Sequence, residues 1–96
     1  MNTRGPSNNA KPARRAGIEI NAVSDGYVVY DPDRDRVHYL NQTAAFILEF
    51  CTGNNTPDDI AASLQSAYHL DQPVNAHVRR CLEQLRTEGL IGTLDG

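Results

Sequence analysis

The sequence predicts an α+β domain in which a three-stranded antiparallel sheet is followed by three helices, and three observations carry that reading. Short apolar runs between residues 17 and 40 have strand patterning, turn residues separate them, and after Asn41 the apolar spacing becomes helical. Strands and helices segregated in this way argue against a doubly wound sheet, which would alternate them. With 96 residues the chain has room for one domain and a thin core.

The first strand starts after Gly17, where Ile18, Glu19, Ile20, Asn21 and Ala22 alternate apolar and polar as a half-buried strand requires. Ser24, Asp25 and Gly26 supply turn chemistry. Tyr27, Val28, Val29 and Tyr30 are apolar on both faces and predict the central strand. The segment Asp31 to Asp35, DPDRD, reads as a polar turn with Pro32 at its second position. Val37, His38, Tyr39 and Leu40 form the third strand, whose exposed edge the charges of Arg34, Asp35 and Arg36 would guard against self-pairing.

Asn41 is placed to cap a helix from Gln42 to about Cys51, with Ala44, Ala45, Ile47, Leu48 and Cys51 on one stripe and Phe46 and Phe50 widening it. Gly53 is expected to end that helix in a left-handed conformation. Thr56, Pro57 and Asp59 announce the second helix, because the hydroxyl and carboxylate satisfy free N–H groups while proline suits the first turn. Its expected buried face is Ile60, Ala61, Leu64, Ala67 and Tyr68. The third helix spans about Val74 to Glu88, with Val74, Val78, Cys81, Leu82 and Leu85 apolar, and ends at Gly89 before Leu90 and Ile91 return to the core.

Charge is divided along the chain. Residues 1–16 carry Arg4, Lys11, Arg14 and Arg15 without an acid and read as a disordered basic arm; residues 17–96 hold five cations against twelve acids, a net −7. So acidic a body is poorly suited to nucleic acid, whose phosphates are bound by cations. No apolar run is long enough for a membrane span, and the first residues lack the apolar centre of a signal peptide, so a cytoplasmic location is expected.

Catalytic chemistry is sparse. Cys51 and Cys81 lie on helical stripes without metal-ligand spacing and read as buried free thiols. His38, His69 and His77 share no motif with a nucleophile, and Asp31, Asp33 and Asp35 lack the glycine and closing glutamate of a calcium loop. Neither a catalytic residue, a metal nor a cofactor is expected.

The segment Val37 to Asn41, VHYLN, leads into a helix with Ala44, Ala45, Ile47 and Leu48, then Gly53, Thr56 and Ile60. With the terminal pattern Val78, Leu82, Leu85, Gly89, Leu90 and Ile91, it resembles the PqqD-like family of peptide chaperones over about Ala16 to Ile91. The resemblance implies a winged-helix-like recognition element that binds the leader of a ribosomally made precursor peptide. The leader would add as a strand to the third strand, beside the third helix, for a maturation enzyme that is often a radical SAM protein, as in pyrroloquinoline quinone biosynthesis.

On that implication the site comprises Arg36, Val37, His38, Tyr39 and Leu40 of the strand with Asn75, Val78, Arg79, Leu82 and Arg86 of the helix. A helical wheel places Asn75, Arg79, Leu82 and Arg86 on one edge of the third helix and His77, Gln84 and Glu88 on the other. Two arginines around Leu82 would suit a peptide alternating hydrophobic and acidic residues, although Leu82 fits the core equally well. The competing reading is a winged-helix DNA-binding protein with Arg79, Arg80 and Arg86 on its last helix, which the acidic body opposes.

Overall fold

The computed structural model describes residues 11–93. Its elements are β1 (Pro12–Arg14), β2 (Glu19–Val23), β3 (Gly26–Asp31), β4 (Arg36–Leu40), α1 (Gln42–Glu49), α2 (Pro57–Ala67), α3 (Asn75–Thr87) and β5 (Ile91–Thr93). The three-stranded antiparallel sheet has the order β2-β3-β4, with β3 central as its two apolar faces predict. Register aligns Ile20 with Val29 and Val29 with His38. Because side chains alternate along a strand, Ile20, Tyr27, Val29 and Leu40 turn to the helices while Val28, Tyr30, Val37 and Tyr39 turn away.

A second sheet was not legible in the sequence. Pro12–Arg14 pairs antiparallel with Ile91–Thr93, so the last part of the segment read as a disordered arm is a strand of the fold; residues 1–10 lie outside the described residues. Pro12 is buried, and the backbone of β1 also reaches the loop after α1: the Arg14 N–H donates to the Cys51 carbonyl at 2.8 Å and the Gly53 N–H to the Pro12 carbonyl at 2.9 Å. Gly53, at φ 89°, therefore shapes a turn against β1 rather than ending α1, which already stops at Phe50. Cys51 falls past the helix end, buried, with its thiol donating to the Ile47 carbonyl at 3.2 Å.

The caps follow the sequence closely. The Asn41 side chain accepts from the Ala44 N–H at 2.8 Å. Thr56 and Asp59 form a reciprocal capping box at 3.1 and 3.0 Å. The Thr56 backbone N–H, and after it the Thr56 hydroxyl, favour the ionised Asp59 carboxylate and lower its pKa. α3 ends in a Schellman turn, with Gly89 at φ 78° donating to Arg86 and Leu90 donating to Leu85, each at 2.9 Å. α2 ends the same way on a non-glycine residue, His69 at φ 54°.

The core joins Val29 and Leu40 of the sheet to Ala45, Ile47 and Leu48 of α1, Ile60, Ala61 and Leu64 of α2, and Val78, Leu82 and Leu85 of α3. The buried stripe of α2 thus stops at Leu64: Ala67 and Tyr68 are exposed because the helix is turning out of the core there. Tyr68 instead tilts onto Phe46, which stacks on Phe50 with ring centroids 4.6 Å apart. Among the described residues no helix is long and apolar enough to cross a membrane.

Candidate functional site

β4 pairs with β3 on one side, and among the described residues no strand occupies its other side. That unpaired border carries main-chain donors and acceptors ready to pair with an extended chain. Along β4, Arg36, Val37 and Tyr39 are exposed, His38 is half-buried and Leu40 belongs to the core. Nδ1 of His38 lies 3.7 Å from Oε1 of Glu88 and its Nε2 is buried without a partner. This approach places the middle of β4 next to the C-terminal end of α3. At the same end, the Arg34 guanidinium covers Gly89 where a side chain would otherwise stand.

The His38 contact decides which edge of α3 faces β4. At 100° per residue Glu88 shares its edge with His77, Cys81 and Gln84, and Gln84 donates to Glu88 at 2.9 Å. Following that edge back to the start of α3 leads to a cavity of about 420 Å³ lined by Thr43, Leu64, Tyr68, Leu70, Val74 and His77. Tyr68 and Leu70 are both 39 % exposed, so the cavity is apolar and open to solvent just beyond the end of β4. Cys81, half-buried on this edge, has its thiol pKa raised by burial and then by the Glu88 charge.

The arginine half of the expected groove sits elsewhere. Asn75 and Arg79 both donate to Oδ1 of Asp58, each at 2.9 Å, which binds this edge of α3 to the first turn of α2. Arg86 reaches Glu83 at 3.3 Å. Arg79, Leu82 and Arg86 do share a cavity of about 200 Å³, but its remaining walls are Pro57 and Glu83 and no part of β4. Val78 is fully buried and Leu82 nearly so, which makes both core residues. The structure therefore gathers the five strand residues at one place, while Asn75, Arg79 and Arg86 lie on the far edge of α3 and Val78 and Leu82 in the core. The residues on the β4-facing side that the expected site left out are His77, Gln84 and Glu88, read as the opposite edge of the wheel, and Cys81, read as part of the apolar stripe; the wheel carried no signal for what that edge would face.

Among the described residues no group of three or more His, Cys, Asp or Glu side chains is placed to hold a metal ion. A family model described as coenzyme PQQ synthesis protein D (PqqD) matches residues 26–91, which span β3 to the start of β5. The comparison with curated proteins gave no match. Among solved structures, a lasso peptide synthetase B1 complexed with the leader peptide superposes with a TM-score of 0.71 at 23 % identity, over 86 % of this chain and 99 % of that one. The heterocyclase TruD superposes with a TM-score of 0.64 at 16 % identity over 88 % of this chain, which spans 12 % of the TruD chain. At these identities both likenesses speak for the fold, an α+β domain of winged-helix-like form.

Proposed function

Because the chain belongs to the PqqD family, we propose that it is a non-catalytic chaperone that binds the leader of a ribosomally made precursor peptide and presents the peptide to a modifying enzyme, in this reading a radical SAM protein. The observation that carries the proposal is the unpaired border of β4 running beside the His77–Glu88 edge of α3, with an apolar cavity at its end. An extended leader adds at the usual spacing of about 4.8 Å as a fourth strand, so that main-chain hydrogen bonds supply affinity and alternate side chains supply specificity. The complex with a leader peptide that the lasso synthetase forms supports this reading.

The chemistry required is modest. Strand addition needs a free edge, side-chain pockets at alternate positions, and a partner able to meet the cost of ordering; no bond is made or broken. The acidic body, net −7 beyond residue 16, keeps the surface unattractive to polyanions and leaves the edge to peptides. The basic charge around β1 belongs to the fold, where Arg14 meets Glu49 at 3.5 Å, and the proposed setting of the protein is cytoplasmic.

The test is an amide NMR titration of the full chain with the synthetic leader of the precursor encoded beside its gene. Shifts are expected at residues 36–40 and at His77, Cys81, Gln84 and Glu88. Silence at both elements under saturating peptide would remove the proposal, and salt-sensitive binding to random duplex DNA in its place would favour a nucleic-acid reader.

A further inference from the structure

We propose, resting on the strand-addition reading above, that Val37 and Tyr39 read the bound leader from the outer face of the sheet and select a segment with apolar, non-acidic residues at two alternate positions. Val37 is 66 % exposed and Tyr39 is 59 % exposed, the two largest exposures of any large hydrophobic side chain among the described residues. They lie two positions apart on β4, so they share a face, and that face is turned away from the helices.

A side chain in the middle of a sheet has a lateral neighbour on each side. Val37 has only Tyr30 and Tyr39 only Val28, both supplied by β3. Their other sides are bare because the border of β4 is open. A guest strand fills both places at once: where it pairs with β4, its residues opposite Val37 and Tyr39 turn to the same outer face, within the distance at which cross-strand apolar pairs stabilise a sheet. The residue between them turns inward, towards His38 and Glu88. The exposed pair is thus the missing half of a contact that the peptide completes.

Charge sets which residues are refused. The Tyr39 hydroxyl donates to Asp25 and the Tyr30 hydroxyl to Asp35 at 3.4 Å. Glu19 stands opposite Tyr30 on the same face, and β2, β3 and β4 place no cation among these side chains. An aspartate or glutamate entering beside Val37 or Tyr39 would lose solvent next to carboxylates at both ends of the patch. Valine, isoleucine or an aromatic residue meets apolar surface there, and a lysine or arginine just beyond meets the carboxylates.

The experiment is a double-mutant cycle by calorimetry on the full chain. The probe is the synthetic leader of the neighbouring precursor gene, taken as the parent peptide and as a series with one residue at a time changed to Asp. Losses are expected to recur at every second position, about fivefold or more in Kd. These losses should shrink in Val37→Thr and Tyr39→Thr, while Val37→Ile and Tyr39→Phe, which keep the apolar surface, retain the alternate pattern of losses. A parent peptide that binds and shifts residues 36–40, yet shows no coupling to Val37 or Tyr39, would overturn the inference and leave strand addition standing. A parent peptide that shifts nothing in β4 would overturn strand addition itself. Sedimentation showing a dimer that Val37→Thr dissolves would assign the patch to a second copy of the chain, against the inference.

Discussion

The two edges of α3 both carry polar side chains and meet different parts of the fold. On the α2 side, Asn75 and Arg79 converge on Asp58, and Leu82 is buried below them. On the β4 side, Glu88 approaches His38 of the open edge strand, Gln84 donates to Glu88, and His77 lines a cavity. The first edge is spent on holding α3 to α2. In the proposed function the second faces the bound leader. An arginine on a helix is therefore a poor guide to a binding face until its partners are known, since a cation at the first turn of a neighbouring helix often answers an acid placed there for the helix dipole, as Asp58 is.

The largest expected effect separates the edges by stability. Leu82→Ala removes a buried side chain and should cost about 2–4 kcal/mol, measured by urea unfolding. Leader affinity of the folded fraction should hold, because the Leu82 cavity has no wall in β4. A large loss of affinity in protein shown to be folded would move the peptide to the α2 side and invert the comparison.

The next test reverses the readout. Gln84→Trp introduces a bulky ring into the proposed groove from an exposed position and should weaken leader binding at least about tenfold, roughly 1.4 kcal/mol, with little change in stability. Arg86→Trp, the matching change on the other edge, should leave affinity alone. Equal losses in the two variants would mean that the edges are not distinct in function.

A smaller effect is expected at Arg79. Its ion pair with Asp58 is exposed to solvent on both sides, so Arg79→Ala should lower stability by no more than about 1 kcal/mol. The salt dependence of leader binding should be unchanged in calorimetry at two ionic strengths. A flattened salt dependence would restore Arg79 to the binding site.

Much of the fold was legible because its signals are local. Asn41, the Thr56-Pro57-Asp58-Asp59 run and Gly89 each act on backbone groups within a few residues, and the central strand declares itself through Tyr27 to Tyr30. The pairing of β1 with β5 was not legible: it joins three residues at each end of the chain, and the composition around Pro12 gives no strand pattern. The edge strand itself was readable from Val37 to Leu40, since a strand after a charged turn has an address in sequence. The helix half of the candidate site was not. A wheel has two edges flanking one core stripe, and the distinction between them rests on a contact such as His38 with Glu88, from strands far away in sequence.

The finest test uses the two thiols as reporters, Cys81 on the β4-facing edge of α3 and Cys51 in the core after α1. Burial pushes the Cys51 pKa up to about 12, with smaller effects from Cys81 and Arg14, so its thiol stays protonated in the native state. In the unfolded chain the same group ionises near 9. The advantage to the native state is therefore complete below pH 9 and declines as pH rises towards 12, with a slope of at most about 1.4 kcal/mol per pH unit. Cys51→Ala should flatten stability over that alkaline window, on top of a pH-independent loss of about 1 kcal/mol for the buried sulfur it removes. Cys81, half-buried on the β4-facing edge, should alkylate faster than Cys51 in the native protein, and saturating leader should slow it while leaving Cys51 untouched. If leader protects neither thiol although it binds, the peptide does not run along the Cys81 edge, and the difference between the two edges has to be sought at β4 alone.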